Sequence, residues 1–103
     1  MRLIIKAKNI DFTNEVEDFI ETKFSELERF LPETTEVFVE VGKLSLHHQK
    51  GNVFYVGCQI SLPVKKLLRV NVEKENLKVG VREAVKKMEQ ALKKHKEKEI
   101  SKK

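Results

Sequence analysis

From Lys78 to Lys98 the chain sets Lys78, Arg82, Lys86, Lys87, Lys93, Lys94, Lys96 and Lys98 around the apolar residues Leu77, Val81, Ala84, Val85, Met88 and Leu92. Side chains of these types are suited to neutralising phosphates. Each one that displaces a condensed counterion adds affinity for a polyanion without reading its sequence. At about 100° per residue, Arg82, Lys86 and Lys93 fall within roughly 40° of one another on one flank of the apolar stripe, and Lys87, Lys94 and Lys98 group on the other. The bland alternative is a solvated helix end whose positive charge complements the helix dipole. The excess of basic over acidic residues favours binding. Lys23 and Arg29, on the polar side of an earlier amphipathic segment, extend the cationic surface if the two helices pack side by side. Glu21, Glu26 and Glu28 interrupt it, and local pairing at i,i+3 and i,i+4 explains these two cations equally well.

Other chemistries find less support. His47 and His48 are adjacent, which is poor spacing for one tetrahedral ion; Cys58 falls on the inward side of a strand pattern and His95 on the apolar stripe. No metal site and no cofactor are expected, and Cys58 reads as a small buried hydrophobe. Glu36 and Glu40 alternate on a strand beside basic neighbours, the pattern of cross-strand pairs. The chain carries no P-loop, dinucleotide-binding glycine pattern, nucleophile elbow or zinc-protease motif, so neither an enzyme nor a small-molecule substrate is expected. Tyr55 and Phe38 are the only aromatics available to stack bases on an open sheet face, which also carries Lys6 and Arg69.

The charge is unevenly divided. Residues 1–50 hold seven basic against ten acidic residues, and residues 51–103 hold fourteen against six. The second half is the part that seeks a polyanion. A length of 103 residues suits one two-layer core. One cysteine permits no internal disulfide, and the N-terminus turns charged after Leu3, Ile4 and Ile5, too soon for a secretory h-region or a membrane span. A cytoplasmic protein without membrane contact is expected.

The elements that must position these residues follow from periodicity. Leu3, Ile5 and Ala7 alternate with basic residues as a first strand. Thr13 can cap a helix whose apolar residues Val16, Phe19, Ile20, Phe24, Leu27, Phe30 and Leu31 recur at threes and fours until Pro32. Val37, Val39 and Val41 mark a second strand over 36–44. An aperiodic hairpin loop with His47, His48 and Lys50 precedes a long third strand, in which Phe54, Val56, Cys58, Ile60 and Leu62 share a face. Leu68, Val70 and Val72 form a fourth strand antiparallel to the third, and Asn76 caps the basic last helix. The expected fold class is α+β, ordered β-α-β-β-β-α, a four-stranded sheet with both helices on one face. Residues 1–98 make a single domain and 99–103 a disordered basic tail.

Several local phrases resemble the ribosome hibernation promoting factor and ribosome-associated inhibitor family. They are Ile5-Lys6-Ala7-Lys8-Asn9-Ile10 with Thr13, Lys23-Phe24-Ser25-Glu26-Leu27-Glu28, His47-His48-Gln49-Lys50-Gly51, and Ala84-Val85-Lys86-Lys87-Met88-Glu89 with Leu92-Lys93-Lys94-His95-Lys96. The resemblance implies a fold similar to the double-stranded RNA-binding domain. It also implies a function: basic residues of the two helices contact 16S rRNA in the decoding channel of the 30S subunit, on free subunits or 70S ribosomes. Messenger and transfer RNA are then excluded during stress or stationary phase, and ribosome hibernation follows. Lys23, Arg29, Lys87, Lys94 and Lys96 match basic family positions; Arg82, Lys86 and Lys93 join them as RNA-binding candidates from the helical geometry. The chain departs from the family pattern at Glu26, where a lysine is usual, at Gln90-Ala91, and at Arg82, which stands in place of an acidic residue. Long family members add a linker and a dimerisation domain, so the chain is expected to be the short form or an N-terminal domain. Two alternatives predict different partners: a stand-alone double-stranded RNA-binding module, and a protein-interaction domain whose lysines serve solubility.

Overall fold

The computed structural model describes residues 1–44, 53–62 and 66–101, with side chains as far as residue 95. The order is β1 (Arg2–Lys8), α1 (Asn14–Phe24), a 3₁₀ segment (Ser25–Phe30), β2 (Glu36–Leu44), β3 (Val53–Leu62), β4 (Lys66–Lys74) and α2 (Leu77–Ser101). The four strands form one sheet in the order β1-β2-β3-β4. β1 pairs parallel with β2, and the remaining neighbours are antiparallel. The parallel pair requires a crossover, which α1 and the 3₁₀ segment supply. This is the expected α+β topology.

Period-2 patterning decides which side of each strand is buried. Val37, Val39 and Val41 of β2, Val56, Cys58, Ile60 and Leu62 of β3, and Val70 and Val72 of β4 all face inward. They share one cluster with Ile20 and Phe24 of α1, Leu27, and Val81, Ala84, Val85, Met88 and Leu92 of α2. One layer of helix thus covers one face of sheet. Gly80 lets α2 come close, because a Cβ there would meet Val56 Cγ2 at 3.2 Å.

The first helix differs from the sequence expectation. It is α-helical only to Phe24 and continues to Phe30 as a 3₁₀ helix. Two causes act together. The Ser25 hydroxyl donates to the Thr22 carbonyl at 2.7 Å, drawing that acceptor away from the regular ladder. In addition, Phe24, Leu27 and Phe30 are spaced by three, so a helix of three residues per turn aligns them in one row, whereas an α-helix would rotate them apart. At the other end, α2 stays helical through Ser101, past residue 98, where composition suggested the tail begins.

Candidate nucleic-acid interface

The register of α2 is set at its start and along its underside. The side chain of Asn76 accepts from the backbone N–H groups of Lys78 at 2.9 Å and Val79 at 3.3 Å, which caps the helix. With Val81, Ala84, Val85, Met88 and Leu92 buried, the basic residues must emerge on two flanks of the stripe. One flank faces α1 and the 3₁₀ segment; the other overhangs β4.

On the first flank, Arg82 and Lys86 join Lys23, with Glu26, Val85 and Glu89, around a narrow groove of about 120 Å³ between the two helical segments. Two half-buried aromatics lie along this seam. Lys78 Nζ lies 5.5 Å from the Phe19 ring centre, and the Arg82 guanidinium 5.7 Å from the same centre. The Arg29 guanidinium lies 4.8 Å from the Phe30 ring centre and Lys93 Nζ 6.0 Å. Such contacts hold long cationic side chains over apolar surface without neutralising them. Carboxylates compensate part of the flank: Lys23 pairs with Glu26 at 3.8 Å, and Arg29 Nη2 donates to Glu89 Oε1 at 3.4 Å. Lys78, Arg82, Lys86 and Lys93 have no ion-pair partner among the described residues.

The second flank is arranged differently. Glu83 receives Lys74 Nζ at 3.0 Å and Lys87 Nζ at 3.4 Å. Its carboxyl is held below the usual range, chiefly by the hydrogen bond from Lys74, with Lys87 adding to the effect against some desolvation. Two of the cations on this flank are therefore already engaged. Lys94 is exposed there, and the side chain of Lys96 lies outside the described residues.

Of the sequence-derived candidates, Lys23, Arg29, Arg82, Lys86 and Lys93 come together on one flank, while Lys87 and Lys94 stand on the other. Sequence reasoning left Lys78 out of the set, although its place one turn before Arg82 puts it on the same flank. Phe19 and Phe30 read as core residues, because nothing local in the sequence shows that they support cations from a distant helix. Lys74, at the end of β4, is not singled out by any sequence pattern.

The open face of the sheet is of another kind. A shallow depression of about 470 Å³ lies over Gly57, bordered by Lys6, Phe38, Glu40, Gln59, Arg69 and Asn71. Phe38 is 44% exposed. The other candidate stacking ring, Tyr55, is committed elsewhere: it lies flat where a Gly42 Cβ would be, within 2.6 Å. Burial, then the charge of Glu40 and a hydrogen bond to it, raise the Tyr55 hydroxyl pKa. Arg2 on this face pairs with Glu36, its register partner on β2, at 3.9 Å, and Lys8 reaches diagonally to Glu40 at 3.7 Å. Beneath the sheet, burial pushes the Cys58 thiol up to about 12, so it is not a nucleophile at neutral pH. Among the described residues, no three His, Cys, Asp or Glu side chains are grouped to hold a metal ion. The His47 and His48 loop lies outside those residues. No helix among them is long and apolar enough to cross a membrane.

Fold and site together define a class: a small α+β domain whose helical layer carries most of its uncompensated cations, among the described residues, along one seam. A family model described as Sigma 54 modulation protein / S30EA ribosomal protein matches residues 3–100. The chain belongs to that family of ribosome-associated proteins, which is the hibernation family its sequence phrases resemble. Two solved structures share the fold. One is the N-terminal domain of Protein Y from Thermus thermophilus, with a TM-score of 0.70 at 23% identity, covering 92% of this chain and 99% of the other. The second is a ribosomal subunit interface protein from Coxiella burnetii, with a TM-score of 0.73 at 17% identity, covering 93% and 98%. No curated protein sequence matches the chain.

Proposed function

We propose that the helical layer binds 16S rRNA of the 30S subunit, on free subunits or 70S ribosomes, and acts by occupation rather than catalysis. Held in the decoding channel, it excludes messenger and transfer RNA and silences translation in the cytoplasm during stress or stationary phase. The observation that carries this reading is the convergence of Lys23 and Arg29 with Arg82, Lys86 and Lys93. Two elements far apart in sequence put their cations on one seam with too few carboxylates to neutralise them. The family supports a ribosomal partner. So does the description of the Coxiella burnetii relative as a ribosomal subunit interface protein.

Co-sedimentation of the purified chain with 30S and 70S particles across a salt series tests it. Travel with the 30S subunit, lost steeply as salt rises, is the expected result, because phosphate contacts release counterions. A protein that stays at the top of the gradient at low salt defeats the proposal. Binding to short RNA duplexes in preference to subunits supports the stand-alone double-stranded RNA module instead.

A further inference from the structure

Lys78 and Arg82 are one turn apart on α2 and carry like charges, which repel at this spacing. They nevertheless converge on the same ring, at 5.5 and 5.7 Å from the centre of Phe19. Neither has a carboxylate partner among the described residues. Lys78 does not serve the helix either. It occupies the first turn of α2, which has no acidic residue, and there a cation opposes the dipole; α1 carries Glu15 and Glu17 at the equivalent place. A cation pair that is costly to the fold, unneutralised, and held together by an aromatic ring has the character of a functional device rather than a stabilising one.

We propose that Phe19 is a positioning residue that seats Lys78 and Arg82 as a two-pronged site for one backbone phosphate of the bound RNA. The inference rests on the helical layer binding RNA, and adds the grip by which it does so at this end of the seam. The negative face of the ring offsets the repulsion between the two cations and limits their excursions before the ligand arrives. A phosphodiester then meets an ammonium and a guanidinium held against the same ring, with Lys86 and Lys23 following along the groove through Arg82. The second ring is not equivalent. Arg29, over Phe30, also donates to Glu89 at 3.4 Å, so that pair is half neutralised and offers a phosphate less.

The test compares the full chain with Phe19→Leu, Phe19→Tyr, Lys78→Gln and Arg82→Gln, measuring affinity for purified 30S subunits at several salt concentrations and a melting curve for each variant. Removing a contact and loosening a contact leave different signatures. Lys78→Gln and Arg82→Gln should each lower the slope of log affinity against log salt by a fraction of one, and together by about one, since between them they neutralise a single phosphate. Phe19→Leu should weaken binding by about two- to fivefold with the slope unchanged, because the cations remain but are no longer held. Phe19→Tyr, which restores a π face, should bind as the parent does. An affinity for Phe19→Leu equal to or above the parent's, or a Phe19→Tyr as weak as Phe19→Leu, overturns the role of the ring. Unchanged slopes for both glutamine variants overturn the phosphate site while leaving RNA binding by the rest of the seam intact. Should the parent chain fail to bind 30S subunits at any salt, the reading of the helical layer falls, and this inference with it.

Discussion

The two flanks of α2 are built from the same residue types on the same helix, yet tertiary surroundings give them different capacities. Toward α1 and the 3₁₀ segment, Lys78, Arg82 and Lys93 lean on Phe19 and Phe30 and keep their charge available, while Lys23 and Arg29 share theirs with Glu26 and Glu89. Toward β4, Glu83 draws in Lys74 and Lys87 and spends much of theirs inside the protein. A count of lysines along the helix treats the flanks as equal. What separates them is whether the neighbour is an aromatic ring, which orients a cation without neutralising it, or a carboxylate, which does both.

The largest effect should come from the stripe between the flanks. Met88 is fully buried. Met88→Lys places an unpaired charge among apolar side chains and should cost more than about 3 kcal/mol, abolishing a cooperative melt and both flanks with it. A normal melting curve would overturn the register of α2.

Next come paired charge reversals, which put the comparison directly at risk. Arg82→Glu with Lys86→Glu should cut 30S affinity at least about tenfold and flatten the salt dependence by about two. Lys87→Glu with Lys94→Glu should cut it only about two- to threefold, since Lys87 is already engaged and only Lys94 is lost in full. Both proteins should remain folded, as all four side chains are exposed. Equal losses from the two pairs erase the distinction between flanks.

A subtler change works in the opposite direction. Glu83→Gln removes the carboxylate that holds Lys74 and Lys87, and should raise 30S affinity severalfold while steepening its salt dependence. If affinity is unchanged, neutralisation by Glu83 is not what keeps that flank silent. The smallest effect concerns pH. The Glu83 pKa is lowered in the folded protein, so its contribution to stability is present above the unfolded carboxylate value, near 4.5, and is lost as pH falls through the folded value. Melting temperatures of the parent and Glu83→Gln should therefore differ at neutral pH and converge in acid. A difference that persists in acid would assign the effect to packing.

Most of the architecture was legible in the sequence, because alternation and helical spacing are local and the core obeys them. β2 spans Glu36–Leu44 and β3 spans Val53–Leu62, as their alternation required. Thr13 and Asn76 cap α1 and α2 because a side-chain oxygen at each helix start satisfies nearby N–H groups, a signal contained in a few residues. The switch to a 3₁₀ helix after Phe24 escaped, since apolar residues at spacings of three and four fit an α-helix equally well. Only packing into the core shared with α2 selects the row formed by Phe24, Leu27 and Phe30.

For the candidate interface the division lies elsewhere. The sequence by itself determined that the last helix is cationic on both flanks and which residues lie on each, because 100° per residue is a property of one segment. Only the tertiary structure decided which cations stay available, since that depends on neighbours contributed by other elements. Phe19 and Phe30 reach the first flank from α1 and the 3₁₀ segment, and Lys74 reaches the second from β4. Charge is a property of a residue, but its compensation is a property of a contact. A contact between distant segments exists only once the core has brought them together.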